Sequence, residues 1–155
     1  MNRERPGRKG QVLHFYGKPV CQTNRHQLAL LRKAGVEMKV HDLLTTDWTP
    51  QTLQPYLSAR PVHEWFNPSA VAIKQGDIDP YAFDAEQALI ILSNDAALIR
   101  RPLIRIEDTA GITHTCGFDR AALEARLGVS FEKELRETEK DDEACSHNAA
   151  SSHTE

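Results

Sequence analysis

Val12, Leu13, Phe15 and Tyr16 form a short, mostly apolar run that Gly17 and Pro19 close, the pattern of a buried strand running into a loop. From Cys21 to Ala34, Leu28 and Leu31 stand three apart with Leu30 and Ala34 alongside, while Arg25, Gln27, Arg32 and Lys33 can face water. This spacing predicts an amphipathic helix, stopped by Gly35. Between Val36 and Asp42, Val36, Met38 and Val40 alternate with Glu37, Lys39 and His41, the period-2 signal of a strand with one wet face. Strand, helix and strand in about thirty residues predict a parallel pair with a right-handed crossover.

The middle of the chain reads as helical. Thr49-Pro50 supplies an N-cap and a first-turn proline for a helix within Asp47 to Leu57, with Leu53 and Leu57 at helical spacing. Short helices are expected over Pro61 to Phe66 and Ser69 to Lys74, parted by Asn67-Pro68. Asp84 to Leu98 carries Ala85, Ala88, Leu89, Ile91 and Leu92 on one broad stripe, a longer helix. Pro102 precedes an apolar segment, Leu103 to Ile106, and Gly111 starts Ile112 to Cys116; Glu107 to Gly111 can join the two as an antiparallel hairpin. Asp119 caps a last helix, Arg120 to Leu127, that Gly128 ends. The expected order is β-α-β, helices, β-β, α. Residues 1–10 read as a flexible polar arm, 11–129 as one domain, and 130–155 as a polar, disordered tail.

Length and composition narrow the classes without naming a function. The 155 residues suffice for one domain with its own core, and 40% hydrophobic with 26% charged residues is ordinary for a globular protein. Nineteen Lys and Arg against 22 Asp and Glu leave a net charge of -3, so no global basic field holds a polyanion and nucleic acid is not an expected partner. The arm carries Arg3, Arg5, Arg8 and Lys9 with no apolar segment after it, and no uncharged apolar stretch reaches the ~18 residues of a membrane span. A soluble, cytoplasmic protein without membrane contact is expected. Cys21, Cys116 and Cys145 are odd in number and lack the spacing of a disulfide framework, which points to reduced thiols.

Cys21 carries the strongest chemical signal. It stands at the expected start of a helix, where unpaired N–H groups and the helix dipole favour a thiolate. Arg25, one turn on, adds positive charge; Thr23 and Asn24 offer a hydroxyl and an amide to an anion or thiolate, and Pro19 fixes the preceding loop. The alternative is a small apolar residue that happens to begin a helix. Cys116, on a hairpin strand, reads as a buried apolar residue or else a resolving thiol, and Cys145 in the tail is long-tethered enough to reach Cys21. Trp48, Trp65 and Phe66 read as core or as partner-binding aromatics. No metal is expected: His114-x-Cys116 and the His147 and His153 tail lack structural zinc spacing, and Gly76-Asp77-Ile78-Asp79-Pro80 lacks the ligands of a calcium loop. Gly17-Lys18 is not a P-loop, and Ser58, Ser69 and Ser93 lack the elbow of a serine hydrolase.

Phe15-Tyr16-Gly17-Lys18-Pro19-Val20-Cys21-Gln22-Thr23-Asn24-Arg25, the Leu28 to Gly35 helix end, and Leu98-Ile99-Arg100-Arg101-Pro102-Leu103-Ile104 resemble the ArsC/Spx family of arsenate reductase-like proteins over about Val12 to Leu127. Within it, the Phe-Tyr-Gly-Lys-Pro motif and Trp65-Phe66-Asn67-Pro68 are most similar to nitrogenase-associated ArsC-like proteins. The resemblance implies an α/β, thioredoxin-like fold with a helical insertion. It implies Cys21 as the attacking thiolate, Arg101 as an oxyanion contact and Pro102 as a cis proline beside the cysteine. It also implies glutathione as a co-substrate rather than a resident cofactor, with glutathione or a glutaredoxin as reductant and nitrogenase-related proteins as partners. The family's two other arginines align with Asn67 and Gly117, and a family histidine with Gly17, so arsenate reduction is expected to be inefficient. Asn24 replaces the second cysteine of the Spx-type Cys-x-x-Cys switch. Two functions remain in view: a thiol oxidoreductase acting through Cys21, or a non-catalytic regulatory or nitrogenase-associated adaptor on the same fold.

Overall fold

The structure, a computed structural model, describes residues 10–18 and 20–131. The predicted arm up to residue 9, Pro19, and the tail from 132 with Cys145 lie outside the described residues. The apolar run at the start forms β1 (Val12–Gly17), and the Cys21 helix is α1 (Gln22–Lys33). These are followed by β2 (Met38–Asp42), α2 (Pro50–Leu57), α3 (Val71–Lys74) and α4 (Ala85–Asn94). The chain closes with the hairpin β3 (Leu103–Asp108) and β4 (Gly111–Cys116) and then α5 (Arg120–Leu127).

Four strands form one sheet in the order β2-β1-β3-β4, with β1 parallel to β2, antiparallel to β3, and β3 antiparallel to β4. Helices cover both faces. On one, Leu13, Phe15, Ile104 and Ile106 meet Leu28 and Leu31 of α1 and Leu123 and Leu127 of α5. On the other, Tyr16, Leu103 and Cys116 meet Leu53, Tyr56 and Leu57 of α2, Ala88, Leu89 and Leu92 of α4, and Trp48, Trp65 and Phe66. The three aromatics are therefore core residues, at 8%, 4% and 1% exposure, and Trp48 Nε1 donates to Leu43 O at 3.0 Å. Phe131 is buried as well, its N–H donating to Glu124 Oε2 at 2.7 Å.

Local chemistry sets several helix boundaries where the sequence placed them. Thr49 caps α2 in a reciprocal box with Thr52, Asp84 does the same for α4 with Gln87, and Asp119 accepts from Ala122 N–H at the start of α5. Gly128 adopts φ 74° after α5, a conformation a side chain disfavours. Three expectations need correction. The helix predicted over Asp84 to Leu98 ends at Asn94, because the Asp95 carboxylate accepts from Ala97 N–H and starts a separate 3₁₀ turn, Ala96–Leu98. The segment Pro61 to Phe66 is a single 3₁₀ turn, Val62–Trp65. Finally, the strand expected from Val36 begins at Met38, and its alternation is inverted in part: Val40 is 47% exposed while His41 is half-buried. The reason is that β2 is an edge strand. Val40 stays exposed at this edge, whereas the His41 ring stacks on Tyr16 of the central strand at 4.4 Å.

Candidate functional site

Cys21 is the N-cap of α1, in an extended conformation (φ -76°, ψ 124°), and its side chain makes no capping hydrogen bond. The first-turn N–H groups of the helix are therefore not occupied by the thiol, and the dipole end at which it stands favours negative charge. The residue is 7% exposed. Its backbone is pinned on both sides: Cys21 N–H donates to Lys18 O at 2.9 Å, and Cys21 O accepts from Arg25 N–H at 3.0 Å.

The other helix-start candidates divide by position. Asn24 is buried, and its amide holds the loop together: Oδ1 accepts from Lys18 N–H at 2.8 Å and Nδ2 donates to Gln27 Oε1 at 2.9 Å. That arrangement explains why residue 17 is glycine. A Cβ there would stand 2.7 Å from Asn24 Oδ1 and 2.7 Å from Phe15 Cε1. Thr23 is buried on α1, and Arg25 is exposed. Arg25 does not line the cleft described next.

The peptide bond between Arg101 and Pro102 is cis. Immediately before it, Arg101 lines a cleft of about 460 Å³ with Lys18 of the Cys21 loop, Leu44 after β2, Asn67, Ser69 and Val71. Asp77 and Asp95 also face this cleft, so its two cations are matched by two carboxylates. Arg101 and the Cys21 loop are thus brought to one place through Lys18, although Cys21 itself is not a lining residue. Asn67, aligned with a family arginine, does reach the cleft, but its side chain accepts from Ser69 N–H at 3.0 Å. Gly117, aligned with the other, lies beside the cis proline: its N–H donates to Pro102 O at 2.8 Å.

Sequence reasoning missed Arg60. A Cβ on Gly117 (φ +94°) would stand 2.7 Å from Arg60 Nη2, so a guanidinium from the turn after α2 fills the space over residue 117. Arg60 Nε donates to Cys116 O at 2.8 Å and Nη1 to Glu64 Oε1 at 2.9 Å. No motif marks this arginine, because the contact joins positions 56 residues apart. Lys18, Asp77 and Asp95 were equally hidden as cleft residues. Cys116 is a buried thiol at 6% exposure with Sγ 3.7 Å from Arg100 O, and burial pushes its pKa up to about 11. Among the described residues, no group of three or more His, Cys, Asp or Glu is placed to hold a metal ion, and no helix is long and apolar enough to cross a membrane.

No protein-family model matches the chain. A 15.7 kDa protein of uncharacterized function from the draG 3′ region of Rhodospirillum rubrum is 44% identical over 115 residues, covering 74% of this chain and 78% of the relative. Among solved structures, an ArsC-family-related protein from Bacteroides fragilis superposes with TM-score 0.61 at 20% identity, over 73% of this chain and 95% of its own. The arsenate reductase from Vibrio cholerae gives TM-score 0.56 at 19% identity, over 68% and 91% of the two chains. An arsenate reductase-related protein from Brucella melitensis gives 0.54 at 21%, over 77% and 97%. The cysteine-started α1, the four-stranded sheet and the superposable structures agree on the thioredoxin-like fold of the ArsC-like proteins, and the chain belongs to one family with the Rhodospirillum protein.

Proposed function

We propose that the protein is a thiol oxidoreductase that acts through Cys21, drawing its reducing equivalents from glutathione or a glutaredoxin. The observation that carries the reading is the place of Cys21: an uncapped thiol at the N-terminus of α1, on a loop whose Lys18 shares a cleft with Arg101. In the proposed step the Cys21 thiolate attacks one sulfur of a substrate disulfide. A mixed disulfide between Cys21 and the substrate forms, the original S–S bond breaks, and the other substrate sulfur leaves as a thiolate and takes a proton from water. A second thiolate, from glutathione or a glutaredoxin, attacks the substrate sulfur of the mixed disulfide, which leaves that sulfur joined to the reductant and returns Cys21 to the thiol.

The cleft argues against an inorganic oxyanion as the main substrate. Asp77 and Asp95 oppose Lys18 and Arg101, and neither Asn67 nor Gly117 brings a guanidinium of its own. The Rhodospirillum relative comes from the draG 3′ region, a nitrogen-fixation setting, which supports a role for this chain beside nitrogenase-related proteins. The second reading, an adaptor without catalysis, draws on the same missing arginines. The test is alkylation of Cys21 by iodoacetamide across pH, read by peptide mass spectrometry with Cys21→Ser as control. The oxidoreductase reading expects Cys21 to react at neutral pH faster than free cysteine and to form a mixed disulfide with oxidised glutathione. A Cys21 slower than free cysteine and inert to glutathione disulfide leaves the adaptor.

A further inference from the structure

The sheet face opposite α1 and α5 carries a polar row that the thiol site does not use. By register, Lys39 of β2, His14 of β1, Arg105 of β3 and His114 of β4 lie side by side across all four strands. Beside this row, His14 Nδ1 and His41 Nε2 are 3.0 Å apart, hydrogen-bonded between β1 and the edge strand β2. An imidazole-to-imidazole bond needs one ring to donate and the other to present a lone pair. It survives with both rings neutral or with one charged, and two charged rings cannot make it.

The surroundings oppose a second positive charge. Lys39 flanks the pair on β2, and Arg105 of β3 lies beside it, with its Nη1 donating to Tyr56 Oη of α2 at 3.1 Å. Tyr16 of β1 stacks on His41, and His114 of β4 meets Tyr56 edge-on. Among the described residues, the anion paired with these rings is Glu107 of β3, 3.8 Å from His14 Nε2, and it is engaged by Arg105 Nε at 2.6 Å. Burial first, and then Arg105, lowers the pKa of both rings.

What the pair holds is the exit of β2. His41 pairs with Tyr16 and Asp42 with Gly17, and the next turn, Leu43–Thr45, is capped by the Asp42 carboxylate and carries Leu44 into the cleft wall beside Lys18. We propose that the His14–His41 bond is a proton-operated latch: it keeps the end of β2 on β1 while at most one ring is charged, and a second proton releases that end together with the Leu44 wall. The latch stands on strand geometry; only its consequence for the chemistry beside the cleft rests on the thiol reading of Cys21.

The test is hydrogen exchange of the amides from His41 to Leu44 in the full chain, corrected for the intrinsic pH dependence, between about pH 7.5 and 5. If release takes up one proton, the open fraction rises up to about tenfold for each pH unit below the free-histidine range. His41→Gln, which can keep a hydrogen bond to His14 without titrating, is expected to hold protection flat. Unchanged protection in the wild type, or the same acceleration in His41→Gln, overturns the latch. Should His41→Gln not fold, the wild-type ring titrations by NMR decide: two separated steps support the latch, and both rings titrating together near ~6.5 overturn it.

Discussion

Gly17 and Asn24 show how tightly the cysteine loop is built around single atoms. Gly17→Ala places a methyl group 2.7 Å from both Asn24 Oδ1 and Phe15 Cε1, and both neighbours are buried. Overpacking of this kind is expected to cost about 1–3 kcal/mol in urea unfolding. The cost should shrink in an Asn24→Ala background, which removes one of the two obstacles, and a double-mutant cycle measures the difference. Cys116 gives a second prediction at this scale. Its folded-state pKa is raised by burial from the thiol range to about 11, so its contribution to stability is full below ~9 and is lost as pH rises toward 11. Tyr56, raised to about 12, adds a loss above ~10 in the same direction. Cys116→Ala should therefore flatten the alkaline limb of stability against pH, read by urea midpoints from about pH 8 to 11. The helix-start position of Cys21 was readable from sequence as a local pattern, whereas Arg101 and Pro102 were singled out only by the family resemblance. The Arg60 guanidinium over Gly117 was readable from neither, since only the folded chain brings the turn after α2 to the end of β4.

Among the elements, the hairpin turn and α5 are joined through Asp108. Its carboxylate accepts from Arg126 Nη1 at 2.8 Å, from Gln11 Nε2 at 3.1 Å and from Ala110 N–H at 2.8 Å. The Arg126 and Gln11 bonds hold its pKa well below the usual carboxylate range. A depressed carboxylate contributes stability above the unfolded value and loses it as pH falls toward the folded one. Asp108→Asn should thus be less stable near neutrality and show a shallower acid limb below about pH 4, followed by circular dichroism. Helix starts were the most legible features, because Thr49 and Asp119 announce theirs as caps in the sequence and the apolar stripe from Asp84 marks that of α4. The edge strand was the least legible. The Val36, Met38, Val40 alternation gives the right period, yet the sheet order, which periodicity does not encode, decides that Val40 faces water and His41 meets Tyr16.

At the scale of the molecule, two apolar clusters lie on opposite faces of one sheet, and the strands separate them. Leu31 and Leu53, both fully buried, belong to different clusters. Truncation of either to alanine should lower stability by about 2–5 kcal/mol, and the double variant should be close to additive in chemical denaturation. Fold class and element order followed from the sequence, since β-α-β and a terminal β-β-α leave few ways to close a four-stranded sheet. What the order of elements left open was the cleft, whose walls come from four separate stretches around Lys18, Leu44, Asn67 and Arg101. The strand order carries one more consequence, for birth on the ribosome. β1 is central, and its second neighbour, β3, begins at Leu103. Throughout synthesis of the helical middle, the first strand therefore keeps one flank of N–H and C=O groups without its partner. Nascent chains halted before Leu103 should bind holdase chaperones, and those released after Leu127 should not.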